Sequence, residues 1–260
     1  MDVFTAILVR VCRLSNVHLS NSNNRMKNVT DRLLPLLVEP GQLETVLGHQ
    51  RLVILHISKP DRYAQFHVPG AVFVEGARYV KVEKPVFGML PAAQSFGQLL
   101  ESLGISPNSH VVCYDDEGGG WASRFLWTLD VAGHNDFSLL NGGLVAWVNE
   151  GFSTSQLPVT PATGSYNVSW RQEPVADTEY ILSRLGAYDL GLLDSRTPQE
   201  FRGEKKFAES GGQFRIREQT DDEISKRVRL GRVVGVVDGN VFVPRRMAYA
   251  EIQRMRFAPG

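Results

Sequence analysis

The chain has 260 residues, 43% of them hydrophobic, and its 28 Lys and Arg balance 28 Asp and Glu to a formal net charge of zero. That length and apolar share allow one large or two ordinary domains with proper cores, while the interspersed charge offers no electrostatic footprint for nucleic acid or an anionic membrane. No apolar run approaches the roughly 18 residues of a spanning helix, and Cys12 and Cys113 form neither a metal spacing nor a disulfide framework, so a reducing cytoplasm is the default compartment.

Residues 1–33 differ in kind from the rest of the chain. They hold a short apolar run, basic residues, a Ser/Asn tract and, before Asp31, only Asp2 as an acid. An acid-poor, Arg- and Ser-containing leader is the composition of a mitochondrial transit peptide, which is one reading. The stronger one takes the first 25 residues as an upstream extension that is disordered or over-called, with Met26 opening the chain proper.

From residue 34 the pattern alternates strands and helices. Val38-Glu39-Pro40 leads into a helix over Gly41 to Leu47, and Leu52 to Ser58 is a run of apolar residues of the kind a doubly covered strand needs. Asp61 is placed to cap a short helix around Arg62 to Phe66. A strand over Ala71 to Val74 comes after Pro69-Gly70, and a helix over Pro91 to Leu103 ends at Gly104. Strands alternating with helices predict a parallel sheet flanked by helices, an α/β fold.

The organising stretch is His110 to Gly151. Val111 to Tyr114 is a run of β-formers broken by Asp115-Asp116-Glu117-Gly118-Gly119-Gly120, where glycines permit positive φ and let backbone amides converge. The helix from Trp121 to about Ala132 sets Ala122, Phe125, Leu126, Leu129 and Ala132 on one face and is closed by Gly133. Its start faces the cup of the loop, a place suited to an anion. Leu140-Asn141-Gly142-Gly143 then turns into a helix carrying Trp147.

Residues 153–172 are rich in Ser, Thr, Pro and Gly and read as an inter-domain linker with little to bury. Over 173–212 the pattern starts again: a helix at Thr178 to Leu185, a strand at Leu190 to Asp194, and Ser195-Arg196-Thr197-Pro198 leading into a helix through Phe201. Residues 213–260 are of another kind, with a hairpin signal at Asp238-Gly239 between Val233 and Val243 and a basic amphipathic segment at the end.

These residues resemble the rhodanese family. Tyr114-Asp115 through Arg124, Gly133-His134, Leu140-Asn141-Gly142-Gly143 and Trp147 match its module in order, preceded by Tyr63-Ala64 and His67-Val68-Pro69-Gly70-Ala71. Asp194-Ser195-Arg196 with Glu200-Phe201-Arg202-Gly203-Glu204-Lys205 is similar to the second module of bacterial tandem sulfurtransferases. The resemblance implies tandem rhodanese-like modules, a module at 34–152 and an incomplete second one at 173–212, with a divergent tail at 213–260. It implies sulfur transfer from thiosulfate or 3-mercaptopyruvate to a thiophilic acceptor through a cysteine persulfide, with no cofactor and no metal. The break after Gly212 reads as a truncation, frameshift or divergent fusion.

The resemblance largely fails beyond Gly212, where the cysteine loop of the second module is expected. In the tandem proteins that the chain resembles, the first module usually lacks the catalytic cysteine and the second carries it at the first loop position. The first-module position here is Asp115, which agrees with the inactive module, so no catalytic residue is assigned. Cys113 falls two residues early on the strand, turned to the side of Asp115 but one pleat deeper, where a cysteine behaves as a small hydrophobe. Asp115, Asp116 and Glu117 would repel an anion such as thiosulfate, and Asp115 is read as an acceptor for the loop's own amides. Their spacing is not that of a calcium loop. Arg196 and Arg202 are the anion-binding candidates, since a guanidinium suits carboxylate or sulfonate; ion pairing with Asp194, Glu200 or Glu204 is the alternative. His67, His134 and Trp147 are assigned to packing and turns.

Overall fold

The computed structural model describes residues 9–11, 32–83, 86–172, 174–176, 180, 183, 190–192 and 199. The helix read at Thr178 to Leu185, Arg196, Arg202, Cys12 and the 213–260 tail with its hairpin lie wholly or mostly outside these residues.

Five strands form the central sheet: β2 (Leu37–Val38), β3 (Leu52–Ile57), β4 (Ala71–Val74), β7 (His110–Asp115) and β8 (Phe137–Leu140), in the order β2-β8-β7-β3-β4. Every neighbouring pair is parallel, and β7 sits in the middle. Such a sheet needs cover on both faces, because crossover helices return on either side of it. The alternation of side chains supplies it. Val111 and Cys113 of β7 join Leu55, Ile57, Val72 and Val74 on one face, under α3 (Ala93–Ser102) and α4 (Gly120–Val131). Val112 and Tyr114 join Val38, Ile54 and Leu140 on the other, under α1 (Pro40–Glu44) and α5 (Gly143–Asn149).

α4 lies on the first face through Ala122, Phe125, Leu126 and Leu129, all fully buried. Each of the larger three contributes roughly 1.5–3 kcal/mol by leaving water. Tyr79, from a 3-10 turn at Gly76–Tyr79, meets Phe125 edge-on with ring centroids 5.0 Å apart. A two-stranded antiparallel ribbon, β5 (Lys81–Glu83) with β6 (Val86–Met89), precedes α3. On the second face Trp147 is fully buried and its indole N–H donates to the Ser153 carbonyl at 2.8 Å.

Several boundaries differ from the sequence reading. The helix expected at Gly41 to Leu47 is Pro40–Glu44, with Glu39 and Gln42 forming a reciprocal capping box and the backbone passing into turns after Thr45. Asp61 is not the cap of α2 (Pro60–Gln65): Lys59 is, without a side-chain bond, because Pro60 opens the helix and moves Asp61 into its first turn. Val9–Val11, read as part of a disordered extension, forms strand β1, paired antiparallel with β9 (Leu190–Leu192).

The largest difference concerns residues 153–172, read as burying little. They form a strap along the module. His67 and Ser155 exchange backbone hydrogen bonds at 2.9 and 2.8 Å, the Gly164 N–H donates to the Glu101 carbonyl, and the Arg171 N–H donates to the Val131 carbonyl. Val159, Tyr166, Val168 and Trp170 pack against the α3/α4 face of the core. The apolar residues spaced through the Ser/Thr/Pro segment find a surface built by chain far away in sequence. At its end Arg171 donates to both the carbonyl and the carboxylate of Asp130, each at 2.6 Å.

Candidate active-site loop

β7 runs up the middle of the sheet and ends at Asp115, from which residues 116–119 lead into α4. In open parallel sheets the crevice at the carboxyl ends of the strands is where ligands bind. Gly118 and Gly119 adopt φ of 94° and 90°, a left-handed backbone that lets N–H groups of the loop and helix start converge. What they point at is the chain's own carboxylate. Asp115 Oδ1 accepts the N–H of Glu117 at 3.1 Å and of Gly119 at 2.6 Å, while Oδ2 accepts the N–H of Ala122 at 3.0 Å. Ala122 is the third residue of α4, so Asp115 takes up one of the helix's orphan donors although Gly119, the cap residue, has no side chain to do so.

Asp115 is only 2% exposed. Burial pushes its carboxyl up from the usual carboxylate range, the three amide donations pull it down, and the neighbouring Asp116 pushes it up again. Asp116 meets Arg62 of α2 at 3.4 Å across the mouth of the loop. The guanidinium is exposed, so the pair contributes at most about 1 kcal/mol.

The loop is braced from two sides. Gly142 and Gly143 take φ of 73° and 55° at the start of α5, and a Cβ on Gly143 would run into the Asp115 carbonyl oxygen. On the other side Trp121 lies over Gly76, where a Cβ would come within 2.7 Å of the indole ring, and the Tyr79 hydroxyl donates to the Trp121 carbonyl at 2.9 Å. Below the loop Tyr114 is fully buried, with its hydroxyl oxygen accepting the Val68 N–H at 2.9 Å. This bond ties the His67-Val68-Pro69-Gly70 turn to β7. Tyr114→Phe strands that N–H in the core and is expected to cost about 1–2 kcal/mol, read as a lower urea midpoint with an unchanged slope.

Cys113 is fully buried, and burial followed by the charge of Asp115 raises its thiol well above the ordinary range. A reactive thiol needs exposure and a depressed pKa, and Cys113 has neither. Arg124, inside α4, donates to the carbonyls of Gly88 and Met89 and stacks 4.4 Å over the Trp127 ring. Burial lowers its pKa to about 10. It anchors the β6 ribbon to α4. Among the described residues, no group of three or more His, Cys, Asp or Glu is placed to hold a metal ion.

The sequence places the acidic loop, Tyr114 and the paired glycines. It does not show that Arg62 closes on Asp116 or that Tyr79 and Gly76 seat Trp121, since those partners come from separate segments. His67 and His134 are buried, as packing residues should be, yet both use their ring nitrogens. His134 faces the Tyr166 hydroxyl and the Asp136 carbonyl, each at 3.2 Å.

A doubly covered parallel sheet whose central strand ends in a glycine-rich loop cupped against a helix start defines a class of α/β module. Residues 39–150 match the rhodanese-like domain, and the chain belongs to the rhodanese family. It is 44% identical over 179 residues to a thiosulfate sulfurtransferase of Azotobacter vinelandii, covering 69% of this chain and 66% of that protein. A thiosulfate sulfurtransferase of Pseudomonas aeruginosa is 42% identical over 179 residues, with the same coverage. The chain thus spans just under two thirds of the length of these relatives. The fold is similar to that of the 3-mercaptopyruvate sulfotransferase SseA from Escherichia coli, with a TM-score of 0.52 and 24% identity over 57% of this chain and 62% of that one.

Proposed function

We propose that this chain is a sulfurtransferase-type protein in which the described module does not itself carry the sulfur. The family reaction moves sulfane sulfur from thiosulfate or 3-mercaptopyruvate to a thiophilic acceptor through a cysteine persulfide. A persulfide or thiolate at the first loop position would be held by converging amides and the helix start. In this chain Asp115 takes those same donors, and that observation carries the proposal. The carboxylate leaves neither a nucleophile nor a vacant anion cradle.

The filled cup also supports a second role, a non-catalytic rhodanese module that binds a partner or a small anion elsewhere. Arg196 and Arg202 are the anion-binding residues we assign, in residues 173–212, which we take as the start of a second module. The match to the Azotobacter protein over 179 residues, longer than the 39–150 span, supports that extension of the family resemblance. We take the residues at 213–260 as a tail whose sequence diverges from the family pattern. No described helix is long and apolar enough to cross a membrane. We assign the protein to the cytoplasm, where Cys113 stays reduced.

The purified chain is expected to transfer sulfur from thiosulfate to cyanide no faster than its Cys113→Ser variant, with both at the uncatalysed rate. Turnover that is robust in the parent and disappears in the Cys113→Ser protein would sink the proposal.

A further inference from the structure

His67 stands in the turn between α2 and β4 and is fully buried. Its ring stacks on Tyr63 with centroids 3.9 Å apart and planes 6° from parallel. Nδ1 lies 2.8 Å from the Tyr63 carbonyl oxygen, and Nε2 lies 3.1 Å from the Leu157 carbonyl oxygen. A carbonyl oxygen only accepts, so each contact is a hydrogen bond only when the nitrogen facing it carries a proton. The neutral ring has one proton and leaves a nitrogen lone pair against a carbonyl lone pair. The imidazolium has two and satisfies both.

The two carbonyls differ in their freedom to move. Tyr63 is held in α2, and its hydroxyl donates to the Ala71 carbonyl at 2.8 Å while accepting the Val159 N–H at 3.2 Å. Leu157 is 76% exposed and belongs to the strap. When the ring is neutral, Nδ1–H keeps the Tyr63 carbonyl and the Leu157 carbonyl turns to water. Tyr63 and His67 together therefore clasp residues 155–159, and one bond of the clasp depends on a proton.

We propose that His67 is a proton-operated clasp that holds the strap segment 155–159 against α2 when doubly protonated and loosens it when neutral. The segment matters because Pro158, Val159 and Pro161 form one wall of a groove of about 430 Å³ whose other walls include Tyr63, Phe73 and Arg78. Loosening the clasp changes the shape of that groove. The groups packed around the ring are few. α2 contributes Tyr63, stacked on the ring; β3 contributes His56, which interacts electrostatically with His67 and itself stacks on Tyr114 of β7. Residues 155–159 of the strap (Ser, Gln, Leu, Pro, Val) contain no titratable side chain. The inference goes beyond the sulfur-transfer reading and stands whether or not that reading holds.

The test uses the full chain labelled with 15N, following the His67 ring nitrogens and the amide protection of Ser155 and Val159 across the pH range in which the chain stays folded. The expected result is that the second ring proton and the strap's protection come and go together. As Nε2 loses its proton, Val159 protection, corrected for intrinsic exchange, falls about tenfold, the scale of one hydrogen bond to a charged group, while Leu126 in α4 keeps its own. A ring that stays neutral throughout overturns the proposal, and so does a ring that titrates without any change at Val159. His67→Gln, which keeps one donor, is expected to show the loosened protection at every pH. If it does not fold, the 15N titration of the parent chain decides alone.

Discussion

Asp115→Ala is expected to destabilise the protein by about 3 kcal/mol, because it strands three amide donors around one carboxylate. The three do not weigh equally. Glu117 is exposed and the Gly119 backbone half-buried, so water can take up both of their N–H groups, whereas Ala122 is fully buried at the third position of α4. Against these losses stands the recovered cost of burying the carboxylate, the burial that already pushes its pKa up. The net loss is therefore smaller than three charged hydrogen bonds would give alone. The checks are chemical denaturation and amide exchange: the midpoint falls, and the N–H of Ala122 loses protection before that of Leu126. A variant as stable as the parent, with the Ala122 amide still protected, would mean that the loop holds its shape without the carboxylate.

The same geometry explains how the loop holds its shape with Asp115 at its first position. A strand that ends in converging amides at a helix start needs an acceptor there, because orphan N–H groups at a buried helix terminus are costly. A carboxylate on the residue leaving the strand meets that need from within the chain. Asp115 thus does for folding what an anion or thiolate would do in a vacant cradle. Under the proposed function, an acceptor-only group there would offer neither nucleophile nor donor to an incoming sulfur anion.

Legibility in the sequence tracks the range of the interactions. β7, its loop and α4 are legible because the β-formers, the three glycines and the face of Ala122, Phe125, Leu126 and Leu129 are all local signals. The Gly142-Gly143 turn is legible as a break, but its reason, the Asp115 carbonyl pressed against Gly143, belongs to the packed fold. The strap is illegible for the opposite cause. Its Ser, Thr and Pro residues announce turns, while the partners that hold it, His67, Glu101 and Asp130, lie far back along the chain. Composition signals a lack of regular structure, and that is a different property from a lack of contacts.

A histidine inside Leu52-Val53-Ile54-Leu55-His56-Ile57 gives no sign of its surroundings in sequence, yet His56 sets the expected acid limb of stability. It is fully buried, stacked on Tyr114 at 4.5 Å, and neither ring nitrogen has a hydrogen-bond partner among the described residues. Burial, and then the nearby His67, lower its pKa to about 3. In the unfolded chain it titrates near 6.5. Between those values the unfolded state binds the proton and the folded state does not, so stability falls as pH drops below about 6.5. By pH 4.5 His56 alone has withdrawn roughly 2–3 kcal/mol. His110, also lowered by burial to about 4 but bonded through Nε2 to the Ser138 hydroxyl at 2.7 Å, adds to the same limb. His56→Phe keeps a flat ring against Tyr114 and removes both unpartnered nitrogens. Urea midpoints at pH 7 and pH 4.5 are expected to differ less in the variant than in the parent, by an amount equivalent to those 2–3 kcal/mol, with the share due to His110 left in both. If parent and variant lose stability in parallel, His56 is not the group being charged, and its ring must have found a partner in the folded core.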